Sequence, residues 1–178
     1  MNSRHFLSLV ASLLLLIFAG AFWYANQNFN NAQLTLKYYQ EPNLASNANV
    51  EQSELTTIVR DAFSRKNYKR VIELGQNIPP DMPGYWNARL QLGHAYMKKN
   101  QPKEAAEAFT EIVNTKQVAL MENAAWHRIL THVQAGNESQ TIHFLNEMIK
   151  QNSSDYVSKA RQLKSDIQSF WRKLVFNK

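Results

Sequence analysis

Three hydrophobic patterns follow one another along the chain. From Phe6 to Tyr24 the residues read FLSLVASLLLLIFAGAFWY, nineteen without a charge, and a helix needs about 20 apolar residues to cross a bilayer. Between residues 25 and 51 apolar positions thin out, and asparagine and glutamine dominate in NQNFNNAQ and EPNLASNANVEQ. From residue 52 onward apolar residues recur at spacings of three and four, the period of helices that bury one face. The pattern predicts an all-α chain with a short flank over 1–5, a transmembrane anchor over 6–24, a polar linker over 25–51 and packed helices beyond.

Trp23 and Tyr24 close the apolar run where an aromatic belt would sit, while Arg4 and the terminal amine precede it. Positive charge on that side predicts a cytoplasmic amino terminus, with the rest of the chain across the membrane. The same residues admit a cleaved leader, with Phe6–Phe18 as its apolar region and Ala19-Gly20-Ala21 as the cleavage site. The continuation through Phe22, Trp23 and Tyr24 favours the anchor, and either reading exports the folded part. The linker reads as a tether, in which Leu34, Leu36, Tyr38 and Tyr39 of LTLKYYQEPN mark a piece able to dock on the domain. Glu41-Pro42-Asn43 disfavours a helix running through that point.

Within the packed part, Leu55, Ile58, Val59, Ala62, Tyr68, Val71 and Ile78 align at a period of thirty-four with Arg89, Leu92, Gly93, Tyr96, Pro102, Ala105 and Ile112. That period, with LQLGHAY and then EAAEAF, resembles the tetratricopeptide repeat, and the resemblance implies a pair of antiparallel helices per unit. The units fall at 52–85, 86–119 and 120–152. In the second, Leu92 and Gly93 take the large and small places of the first helix, Tyr96 follows, and Ala105 and Phe109 take the small and large places of the second. In the first, Val59 replaces the small residue and Gly75 stands where an aromatic is usual, which implies looser packing between units one and two. In the third, Trp126, Ile129, Leu130 and Val133 precede a break at Gly136-Asn137, and Ile142, Leu145, Met148 and Ile149 follow it. Tyr156, Ala160, Leu163, Ile167, Phe170, Trp171 and Leu174 then form one apolar stripe, expected as a single capping helix over 153–178 started by Ser153-Ser154-Asp155. A stacked array needs such a cap to cover its last apolar face. Seven helices are therefore expected over 52–175, with no sheet.

The 178 residues include no cysteine, which excludes disulfide frameworks, thiolate zinc sites and cysteine nucleophiles. The net charge is +6, and much of it lies at the end of the chain. There Lys159, Arg161, Lys164, Arg172, Lys173 and Lys178 face only Asp166. A basic amphipathic helix of this kind suits an anionic lipid surface or an acidic partner. Nucleic acid is not expected beyond a membrane.

Catalytic patterns are weak. His94, His127, His132 and His143 lack the i, i+4 spacing of a zinc helix, and Glu104, Glu107 and Glu111 read as a solvated helix face. No enzyme activity, cofactor or metal is expected. The repeat resemblance instead places Arg60, Phe63, Asn87, Leu90, His94, Met97, His127 and Thr131 on the concave face of the first helices, beside Thr56 and Gln134, as a groove for a partner peptide or helix. The competing expectation fills that face with the chain's own linker or last helix. A chaperone-type carboxylate clamp is disfavoured, since of Thr56, Arg60, Gln91, Ala124 and Arg128 only Arg128 suits it. The architecture resembles membrane-anchored tetratricopeptide proteins of bacterial inner membranes, and implies a periplasmic adaptor, scaffold or assembly factor of an envelope complex. The alternative is a regulatory membrane subunit, anti-sigma-like or signalling, with its repeats in the cytoplasm.

Overall fold

A computed structural model of the chain describes residues 3–42, 51–115, 118–152 and 155–176. Among the described residues the backbone forms ten helices and no strand. Helices α1 (Ser3–Phe29) and α2 (Asn31–Tyr38) come first. Three hairpins follow: α3 (Glu54–Ser64) with α4 (Tyr68–Gly75), α5 (Tyr85–Lys98) with α6 (Pro102–Val113), and α7 (Val118–Gln134) with α8 (Glu138–Gln151). Helices α9 (Val157–Gln168) and α10 (Phe170–Phe176) end the chain.

The three hairpin turns share one local device. Lys66, Asn100 and Gly136 take positive φ values of 56°, 57° and 75° just after the first helix of each pair, and a left-handed residue there ends a helix while its last carbonyls remain bonded. The next helix then starts at once. Asn67 Oδ1 accepts from the Arg70 amide at 3.2 Å to open α4, and Pro102 opens α6 at a position where no amide hydrogen is needed. Upstream, Ser53 and Thr56 close a reciprocal capping box that starts α3.

From α3 onward each helix packs on its sequence neighbours, while α2 packs on α1, α7 and α9; α5 also touches α3 and α7, so the first helices of the hairpins share one face. Close approach within the middle hairpin depends on Gly93. A Cβ there would lie 2.7 Å from the Phe109 ring, and Phe109 is fully buried. We expect Gly93→Ala to lower stability in a urea titration even though alanine favours helix by about 1 kcal/mol, because overpacking costs about 1–3 kcal/mol. A stabilised variant would mean that the ring yields freely. The expected looseness beside Gly75 is absent. Leu92 fills that space, with its side chain 3.5 Å from where a Gly75 Cβ would sit.

Two further expectations are corrected. Residues 25–42 are not a tether, because α1 continues to Phe29 and α2 follows after Asn30 alone. The asparagines supply the local reason. Asn28 Nδ2 donates to Tyr24 O at 2.8 Å and Asn30 Nδ2 to Asn26 O, while Asn30 Oδ1 accepts the Gln33 amide to start α2. The closing helix is also not one helix but two, giving eight among the described residues where seven were expected over 52–175. Ser169 is extended, ends α9, and receives the Arg172 amide on its hydroxyl at 3.2 Å to start α10. That break turns Phe170 out of the stripe to 66% exposure. The expected cap at Ser153-Ser154 lies outside the described residues, and Tyr156 holds the cap position of α9.

Candidate functional site

The face shared by α5 and α7, expected to form the partner groove, is covered by residues 31–42. Leu34 and Tyr38 of α2 enter the main core beside Leu90, Met97 and Trp126. The segment is fastened along its length. Trp126 Nε1 donates to Tyr38 O at 3.2 Å, Tyr38 Oη and Lys37 Nζ both donate to Asp166 Oδ2 at 2.7 Å, and Lys159 Nζ donates to Gln40 Oε1 at 2.7 Å. Residues 31–42 therefore form an internal strap.

At its centre Tyr39 wedges edge-on against His94 and His127, with its ring centroid 5.5 Å from each. The two imidazoles are themselves 4.3 Å apart. His94 Nδ1 lies 3.0 Å from Tyr39 Oη, and His127 sits between two backbone carbonyls, Asn123 O on Nδ1 and Gln40 O on Nε2, each at 2.8 Å. Lys98 Nζ stands 3.9 Å above the Tyr39 ring and 3.6 Å from Glu41. Both histidines are fully buried. Burial, with the second histidine beside it, holds His94 well below its ordinary pKa, and burial brings His127 down to about 4 against the upward pull of its two carbonyls. A neutral His127 donates to one carbonyl only. Burial likewise raises the Tyr39 hydroxyl, so the wedge stays protonated.

The expectation of an open groove is corrected by this arrangement. Phe63, Asn87, Leu90, His94, Met97, His127 and Thr131 are all buried, and only Arg60 is partly exposed, 3.9 Å from Asp61. Around Leu90, Met97, His94 and His127 the physical reason is that Tyr38 and Tyr39 pack on the face the groove would offer, which was the competing expectation, while Phe63 is buried in the separate core of the first hairpin. Phe63 adds its ring to the His94 side at 6.2 Å, whereas Asn87 and Arg60 join neither the histidines nor the strap in any bond. The expected packing residues Leu92, Gly93, Ala105 and Phe109 are buried, and Tyr96 lies against the core. Glu111, expected on a solvated face, instead pairs with Arg89 at 2.5 Å and accepts from the Tyr85 hydroxyl.

Sequence reasoning placed His94 and His127 on one face without pairing them. Their separation of 33 residues, one residue short of the repeat period, is the signal that was available. Among the described residues no group of three or more histidine or acidic side chains is placed to hold a metal. Beside the strap opens a largely apolar cavity of about 370 Å³, bounded by Leu36, Tyr39, Met97, Asn100 and Gln134. Leu36, 66% exposed, stands at its edge. No family model, curated protein or solved structure matches the chain.

Proposed function

We propose that the chain is a membrane-anchored interaction module, an adaptor or assembly factor of a cell-envelope complex built on tetratricopeptide-like hairpins. One observation carries the reading: the concave face already holds residues 31–42, a helix followed by an extended stretch, in the manner in which a helical groove receives a peptide. The shared hairpin turns and the Gly93–Phe109 approach support the repeat resemblance. Helix α1 supports the anchor, since Leu9–Phe29 is long and apolar enough to cross a membrane. The single arginine before it argues for a cytoplasmic amino terminus and a periplasmic domain on a bacterial inner membrane. A partner helix would dock in the cavity beside Leu36 or displace the strap. The role needs no cofactor.

The reading is tested by placing a photo-crosslinking residue at Leu36 in native membranes, with one at Lys103 on α6 as the comparison. A discrete protein adduct from Leu36 but not from Lys103 is the expected result. Equal labelling from both, or none from Leu36, would remove the cavity as a partner site. A topology reporter at Lys178 that is active only in the cytoplasm would favour the regulatory alternative.

A further inference from the structure

The depth at which α10 meets α1 carries a second conclusion. Along α1, residues 9–20 are exposed without exception, and the covered stripe is Ala21, Ala25 and Phe29, each four residues after the last. Helix α10 is the element packed along this end. The Trp171 ring lies 5.0 Å from the Tyr24 ring, and Arg172 Nη1 donates to Phe29 O at 2.6 Å. The apolar stretch from Phe6 to Tyr24 is followed by Asn26, Gln27 and Asn28, whose amides are costly in hydrocarbon, so the stretch needs its full length to cross. Nineteen residues at 1.5 Å each reach about 28 Å, against a hydrocarbon core of about 30 Å. Ala21 and Tyr24 therefore belong to the last turn of the span, and whatever packs beside them stands at the membrane surface.

We infer that α10, together with the aromatic end of α1, forms a foot that lies in the phospholipid headgroup layer and fixes the domain against the bilayer. The inference rests on the anchor reading above. The chemistry of the foot suits that layer. Phe170 at 66%, Trp23 at 65% and Phe22 at 45% are exposed aromatics, and Lys173 is an exposed cation beside them. Aromatic rings with polar edges and basic side chains gather at membrane interfaces, where one end is apolar and the other hydrated. Arg172 serves differently: it is buried, and its guanidinium binds Phe29 O and Asn31 Oδ1. It bolts α10 to the helix junction, so the foot and the anchor move as one piece. Without a membrane, Phe170 and Trp23 would present bare apolar surface to water.

Because the chain has no cysteine, single cysteines report position directly. Full-length protein carrying Phe170→Cys, Lys173→Cys, Leu14→Cys or Lys103→Cys is labelled with a fluorophore. It is then reconstituted in vesicles of zwitterionic and anionic phospholipid bearing nitroxides at the headgroup or along the acyl chain. Leu14 should be quenched best by mid-chain nitroxides. Phe170 and Lys173 should be quenched best by headgroup nitroxides, about fivefold more than Lys103, as expected of a helix lying in the interface. If Leu14 is quenched while Phe170 and Lys173 match Lys103, the foot is wrong, the anchor stands, and the exposed aromatics belong to a protein contact instead. If Leu14 is not quenched, α1 is not in the bilayer and both readings fall.

Discussion

Trp126→Ala is expected to be the most damaging single change in the molecule. The indole is fully buried, stacks on Tyr156 with ring centroids 5.3 Å apart, meets Tyr38 edge-on, and donates to Tyr38 O. It thus ties together α7, the strap and the turn before α9. Truncating a buried tryptophan to alanine typically costs about 3–5 kcal/mol, and here the cavity opens beneath the strap. The urea midpoint should fall accordingly, and trypsin should cut after Lys37 far faster than in the parent. Trp126→Phe should recover most of the loss, missing chiefly the indole hydrogen bond, worth about 1 kcal/mol. A loss below about 1 kcal/mol for the alanine variant would show that the strap is not held from this side.

Acid should loosen the same fastening. An unfolded histidine takes its proton near pH 6.5, whereas His127 in the fold takes one only at about 4 and His94 also well below the ordinary value. Between those limits the unfolded chain binds more protons, so stability is complete above pH 6.5 and declines as the pH falls toward 4. His127 alone accounts for about 3 kcal/mol of that decline. The charges around the pair act in the same direction, since Lys98 of α5 lowers both histidines and Lys159 of α9 lowers His127. Glu41, the nearby carboxylate, is already engaged by Lys98. Urea stability measured at pH 7 and at pH 4.5 should differ strongly for the parent and much less for His94→Gln combined with His127→Gln. Equal pH dependence in the two proteins would place the acid-sensitive group elsewhere.

Much of this fold is legible in the residue pattern, because its contacts are mostly between helices adjacent in sequence. Helical spacing locates the hairpins, and Gly93 with Phe109 identifies a close helix approach, which the structure places in direct contact. The break at Gly136-Asn137 also appears where the turn residues put it. The candidate site was less legible. Its members lie off the packing stripe of the first helices, a position that identifies a face without saying what covers it. Leu34, Tyr38 and Tyr39 were visible as a docking piece, yet a short apolar cluster in an asparagine-rich stretch carries no information on where it docks.

What the sequence determined by itself is local: an apolar helix at the amino terminus, helices downstream that bury one face, the break at Gly136-Asn137, and an all-α class. These follow from backbone preferences and from a period of 3.6, which act over a few residues. Only the tertiary structure decided that residues 31–42 cover the face of α5 and α7 that carries the buried His94 and His127, and that Arg172 joins the last helix to the end of the first. Those contacts link residues 87 and 143 positions apart. Their geometry depends on how three hairpins stack, a sum of small rotations that no local pattern contains. A buried imidazole between two carbonyls and an aromatic helix end held beside a membrane span are therefore properties of the assembled fold.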